Sequence, residues 1–96
     1  MAYARRVDAN HGELKGYFER MGCSVLDLFR VGSGCPDLAV SLHGFTLLVE
    51  VKAEGGSLEP EQIRFHREWK GQIRQARTLE DCVSIVRELK SWMRGA

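Results

Sequence analysis

No stretch of this chain approaches the ~20 consecutive apolar residues that cross a bilayer. The first ten residues carry no apolar h-region of the kind that marks a secretory signal. The cytosol is therefore the expected compartment. Cysteine is sparse: Cys23, Cys35 and Cys82 are isolated, an odd number with no paired spacing. That argues against a disulfide framework and a zinc site, and it points to three reduced, mostly buried thiols. An excess of one charge is also missing, since the formal net charge is only +1. With no internal repeat, low-complexity tract or linker-like stretch, the 96 residues read as a single domain with one modest core.

What is present is an ordinary globular composition, 44% hydrophobic and 28% charged. The charge is unevenly spread. Arg64, Arg67, Lys70, Arg74 and Arg77 cluster against Glu68 alone, and Arg5 and Arg6 lie near the start. Such a cluster can grip phosphates, although a solvated helix face has the same pattern.

Periodicity divides the chain into seven elements. From Ala9 to Met21, Leu14, Tyr17, Phe18 and Met21 recur at helical spacing, with Asp8 or Asn10 as cap. Gly12 and Gly16 each weaken that helix by roughly 1 kcal/mol relative to alanine. Glu13 falls at the edge of its apolar stripe. Residues 24–31 read as a strand broken by Gly32-Ser33-Gly34, residues 37–42 as a second, and His43-Gly44 as a hairpin turn into a third, Phe45 to Lys52. The nearly continuous apolar character of that third strand suits a central position. Pro60 opens a second helix in which Gln62, Phe65, His66 and Trp69 share one face, and Gly71 ends it. A short edge strand spans Gln72 to Arg77. Thr78-Leu79-Glu80-Asp81 then has the form of a capping box for a helix with Leu79, Cys82, Val83, Val86, Leu89 and Met93 along its buried stripe. The expected fold class is α/β, in the order αβββαβα, a mixed sheet flanked by helices.

The chemistry-bearing feature is an acidic residue at the start of one strand and Glu-x-Lys at the end of the next. Side chains alternate along a strand, so Glu50 and Lys52 project from one face. A hairpin about His43-Gly44 brings Asp37 beside them. Two carboxylates suit Mg²⁺, a hard cation that prefers oxygen, and the Val51 carbonyl is a further oxygen donor. Lysine beside such an ion positions a water or stabilises charge on a phosphate. Glu-x-Lys also arises by chance in many strands.

The series Gly34-Cys35-Pro36-Asp37-Leu38, Glu50-Val51-Lys52 and Leu58-x-Pro60-x-Gln62 resembles the PD-(D/E)xK nuclease superfamily, and within it the virus-type replication-repair nuclease (VRR-NUC) branch, over about residues 9 to 93. Members occur in phages and as domains of DNA-repair nucleases. The resemblance implies a restriction-endonuclease-like core and a phosphodiesterase that uses Mg²⁺ or Mn²⁺, cleaving DNA to leave a 3′-hydroxyl and a 5′-phosphate. It makes Asp37 and Glu50 the metal-binding carboxylates, beside the Val51 carbonyl already noted, Lys52 the catalytic lysine, and Glu13 the acidic residue near the metal, often acting through water. Gln62 matches the glutamine after the Glu-x-Lys strand, although helix capping explains it as well. The family often has Ser or Thr before the proline of the second helix, where this chain has Glu59. Likeness to stand-alone phage members implies a homodimer cutting branched DNA such as Holliday junctions, with Trp92 and Met93 as a possible dimer surface. So small a chain leaves specificity to DNA shape and backbone contacts. A non-catalytic nucleic-acid-binding module and a single-strand or flap nuclease are the alternatives. His66 is left between a structural role and contact with substrate. His11 and His43 share no metal-ligand spacing with it.

Overall fold

His43 and Gly44 both have positive φ, 55° and 86°, the conformation of the two-residue turns whose twist matches a hairpin. They join the two inner strands, β2 (Leu38–Leu42) and β3 (Phe45–Val51), in an antiparallel register that sets Leu38 opposite Val49 and Val40 opposite Leu47. The outer strands are β1 (Ser24–Asp27), antiparallel to β2, and β4 (Ile73–Ala76), parallel to β3, so the mixed sheet runs β1-β2-β3-β4. The helices are α1 (His11–Arg20), α2 (Pro60–Glu68) and α3 (Leu79–Gly95). The computed structural model describes residues 9–95. Arg5, Arg6 and the alternative cap Asp8 lie outside those residues. The order is the αβββαβα expected from the sequence.

Alternation assigns the two faces of the sheet. Leu38, Val40, Leu42, Leu47, Val49 and Val51 are buried in one cluster with Leu14 and Phe18 of α1 and Cys82, Ile85, Val86 and Leu89 of α3. The opposite face carries Ala39, Ser41, Leu48 and Glu50, and α2 reaches it through Gln62 and His66.

Several boundaries differ from the expected ones for identifiable reasons. The Leu28 N–H still donates to the Asp37 carbonyl in the register of β1 and β2 (2.6 Å), but the Val31 N–H donates to the Leu28 carbonyl (2.9 Å) in a turn that carries the chain away, so β1 ends at Asp27. α2 ends at Glu68, before Gly71. Trp69 is extended (φ −69°, ψ 128°) and 45% exposed, so the face shared by Gln62, Phe65, His66 and Trp69 is not a core stripe; only Gln62 on it is buried. In α3 the buried residues are Cys82, Ile85, Val86 and Leu89, while Leu79 and Met93 are exposed. Its 17 residues span roughly 25 Å, and the two exposed apolar residues lie near its ends. The capping box forms as expected: the Asp81 N–H donates to Thr78 Oγ1 (3.2 Å) and the Thr78 N–H to Asp81 Oδ2 (3.1 Å).

Asn10 precedes α1 but makes no cap bond; its Nδ2 donates instead to the carbonyls of Lys52 (3.1 Å) and Arg77 (2.8 Å). His11, which no sequence signal marked, is buried and bonded through Nε2 to Asp27 Oδ2 at 3.1 Å. Burial pushes the Asp27 carboxyl up, but bonds from His11 and the Phe29 N–H and the nearby charges of His11 and Lys15 outweigh it and hold the group below its ordinary value.

All three cysteines are free and buried. Burial, with the charges of Asp81 and Glu13 adding to it, pushes the Cys82 thiol up to about 12. Burial also raises Cys23, against an opposing effect of Lys90. At pH 8 both are thiols rather than the reactive thiolate. Iodoacetamide at pH 8 is therefore expected to leave Cys23 and Cys82 unmodified in the native protein and to alkylate them in urea, as read by intact mass.

Candidate active site

The site begins with a backbone constraint. The N–H groups of Leu48 and Lys52 donate toward β4, to the carbonyls of Gln72 and Ala76 (3.1 Å each). Alternation turns the Val51 N–H the other way, toward the chain entering β2. There Pro36, fully buried and lacking an N–H, closes the regular ladder. The carboxylate of Asp37 takes over, with Oδ2 accepting the Val51 N–H at 2.8 Å. Continuing the hairpin register by one step from Leu38–Val49 sets Asp37 opposite Glu50. The order Pro-Asp thus ends the ladder, Pro36 by having no N–H to donate and Asp37 by accepting the Val51 N–H with its side chain.

Glu50 is 0% and Asp37 7% exposed. A carboxylate buried this deeply requires donors. Gln62 provides one: its Nε2 donates to Glu50 Oε2 at 3.2 Å. The other end of the same amide, Oε1, accepts the N–H of Glu59, the residue before α2, at 2.8 Å. One side chain therefore both closes the start of α2 and bonds Glu50. The carboxylate demands a donor and the backbone N–H an acceptor, which fixes the orientation of the amide. Glu59 takes the place of the Ser or Thr common in this position: its side chain accepts from the Gln62 backbone N–H, the reciprocal half of a capping box. One turn on, His66 Nε2 lies 3.6 Å from Glu50 Oε1, and burial holds its imidazole pKa below the ordinary value, so it is neutral at pH 7.

Lys52 is half-buried one residue past β3. Its bond to Ala76 continues the strand alternation, placing it on the face of Glu50. Its carbonyl is held by Asn10 Nδ2. The Val51 carbonyl lies on the backbone between Glu50 and Lys52. Glu13 is placed elsewhere. It is exposed in the first turn of α1 and lines a hollow of about 400 Å³ with Asn10, Ala53, Glu54 and Arg77. A separate hollow of about 500 Å³ lies between Gly32-Ser33-Gly34 and residues 59–62. Among the described residues no three His, Cys, Asp or Glu side chains converge as a ready metal cage. Glu13 sits on α1, which packs on the core side of the sheet. Two carboxylates and a carbonyl remain as the donor set. They fit a hard divalent cation, since Mg²⁺ is commonly held by one or two carboxylates and otherwise by water.

Gly34 has no counterpart among the residues sequence reasoning selected for the site, although Gly-Ser-Gly marked a break. Its φ is +79°, and a Cβ there would sit 2.3 Å from the Glu61 carbonyl oxygen and 3.1 Å from the Gln62 nitrogen. The loop before Asp37 thus touches the backbone of α2 directly, and only glycine allows the approach.

No protein-family model and no curated protein matches this chain. Among solved structures, one described as a VRR-NUC domain matches with a TM-score of 0.64 and 29% identity, over 79% of this chain and 92% of that one. The mixed four-stranded sheet with flanking helices is the same type of α/β core.

Gly34→Ala and Gly32→Ala separate the clash from the backbone strain, because both glycines have φ +79° but a Cβ on Gly32 meets nothing within 4 Å. Gly32→Ala is expected to cost about 1 kcal/mol from left-handed backbone. Gly34→Ala should cost at least about 2 kcal/mol more, because the backbone of α2 must move. Urea denaturation of the two variants measures the difference.

Proposed function

We propose, with the VRR-NUC assignment that this likeness supports as the premise, that the chain is a Mg²⁺- or Mn²⁺-dependent DNA endonuclease. The neighbour supports a nuclease-domain fold. The observation that carries the chemistry is the pair Asp37 and Glu50, facing each other across the hairpin, buried, and each held by a bond from the protein.

In this reading Asp37, Glu50 and the Val51 carbonyl hold the ion. A divalent cation there neutralises phosphate charge and makes a coordinated water more acidic. Val51 and Gln62 keep the two carboxylates from rotating, so the ligands are ordered before substrate arrives. Lys52 stabilises the charge that develops on the phosphate oxygens. Glu13, across the Lys52 end of the site, acts through water. In the net reaction the oxygen of a water bonds to phosphorus and the bond from phosphorus to the 3′-oxygen breaks. The 3′-oxygen takes a proton, giving a 3′-hydroxyl and a 5′-phosphate. Branched DNA is the proposed substrate and a homodimer the proposed unit, acting in the host cytosol. Exposed Met93 beside Trp92, itself packed on Phe45, offers one surface for pairing.

Purified protein is expected to cleave flap, nicked or four-way-junction DNA with Mg²⁺ or Mn²⁺ and not with EDTA. Asp37→Asn, Glu50→Gln and Lys52→Ala should each lose about 10²- to 10³-fold in rate, whereas Glu13→Gln, acting at one remove, should lose roughly tenfold or less. Cleavage that survives the first three substitutions would refute the assignment of the site; tight DNA binding with no cleavage under any metal would identify a binding module. Light scattering is expected to give about twice the chain mass of 10.9 kDa.

A further inference from the structure

The stripe that begins at buried Gln62 does not stop at the active site. It runs through His66 and Phe65 to Trp69, out of the protein and into solvent. Phe65 and Trp69 form a stacked pair with ring centroids 5.3 Å apart and planes 17° from parallel. With one face of the indole covered by Phe65, the 45% of Trp69 that remains exposed belongs to its other face and its edges. The chain turns close beside the ring: the Trp69 backbone N–H is still bonded to the Phe65 carbonyl at 2.9 Å, and a Cβ on Gly71 would lie 2.8 Å from the indole nitrogen. A half-exposed indole backed by a second aromatic ring is the geometry on which an unpaired base stacks.

Charge around the ring favours a polyanion over an apolar partner. Two of the five cations between residues 64 and 77 are already engaged: Arg74 with Glu88, and Arg77 with the carbonyls of Ala53 (2.9 Å) and Gly56 (2.6 Å). Arg64, Arg67 and Lys70 are exposed at this end of the molecule, with Glu68 as the acidic residue among them. The two arginines lie on other sides of α2 from the stripe, so their contribution is a positive field rather than contact with the ring. From Gln62 to Trp69 the chain advances about 10 Å at helical rise, roughly three nucleotides at the rise of one DNA strand.

We infer that Trp69, backed by Phe65, stacks an unpaired base of a DNA strand a few nucleotides from the phosphate held at Asp37 and Glu50, so that the preferred substrate presents single-stranded DNA beside the cut. This rests on the nuclease reading above and narrows its substrate. Three-way specificity follows: a flap, an overhang or an opened junction offers such a base, and continuous duplex does not.

Binding in EDTA tests this apart from catalysis. Fluorescence anisotropy would compare Trp92→Phe protein, as the single-tryptophan reference, with variants carrying Trp69→Ala or Trp69→Phe in addition, on a flap and on a blunt duplex. Circular dichroism checks that each variant is folded. Trp69→Ala is expected to weaken flap binding by roughly 5- to 150-fold, leave duplex binding within about twofold, and be largely rescued by Trp69→Phe. In the reference protein, oligo(dT) should quench the fluorescence of Trp69. Equal losses on flap and duplex, or no loss on either, would overturn the inference, as would absence of quenching. Metal-dependent cutting of duplex by a protein indifferent to Trp69 would sink this inference alone. A wild-type protein that neither binds nor cuts any DNA would sink the nuclease reading with it.

Discussion

Glu50 sits fully buried between Val49 and Val51 on an inner strand, and the rest of the site is arranged around keeping its carboxylate there. An ionised group in such surroundings is costly unless hydrogen-bonded. Gln62 supplies the bond with an amide whose other end closes the first turn of α2. The same residue therefore starts a helix and orients a carboxylate, and neither can shift without disturbing the other. Asp37 plays the matching part across the hairpin, where its carboxylate accepts the Val51 N–H. Both carboxylates are held by bonds that begin in ordinary secondary structure.

This has a consequence for α2. Helices α1 and α3 are held by a shared apolar cluster, but the buried residue of α2 is Gln62. Its position depends on one amide, on the His66–Glu50 approach and on the touch of the Gly34 loop against Glu61 and Gln62. Apolar packing tolerates small slips, whereas a hydrogen bond and a contact that a single Cβ would destroy do not. The face of the sheet that bears the site is covered by a helix located by polar geometry, and the aromatic end of that helix is free to meet something else.

The sequence made the element order legible because periodicity and turn chemistry agreed. His43-Gly44, the apolar run 45–51 and the Thr78–Asp81 box each pointed to one structure, and each formed. Asp37, Glu50 and Gln62 were legible from spacing and order together with a family resemblance. What escaped was set by tertiary contact. Trp69 follows Gln62, Phe65 and His66 at core spacing, yet among the described residues no element lies beyond α2 to bury it. Nothing local distinguishes Gly34 from Gly32, because the difference is a carbonyl oxygen contributed by residue 61. Asn10 looks like a cap, but the carbonyls of Lys52 and Arg77 hold its amide. Glu13 stands on α1 as its spacing implied, exposed in the first turn beside the hollow next to Ala53.

The basic segment shows how geometry changes the meaning of charge. Read along the chain, residues 64–77 are a row of cations suited to phosphates. Folded, Arg74 is spent on Glu88, and Arg77 grips the carbonyls of Ala53 and Gly56 in the loop that leaves β3. Together with the bonds from Asn10 and to Ala76, Arg77 clamps the backbone on both sides of Lys52. Lysine has four rotatable bonds and loses much rotamer freedom when it is made to point. Anchoring the backbone from which it springs is the part of that cost the fold can reduce in advance. Two arginines and a lysine are left exposed, all at the end of α2 where the indole is. Positive charge is therefore removed from the loop that must be rigid and retained where a strand of DNA would arrive.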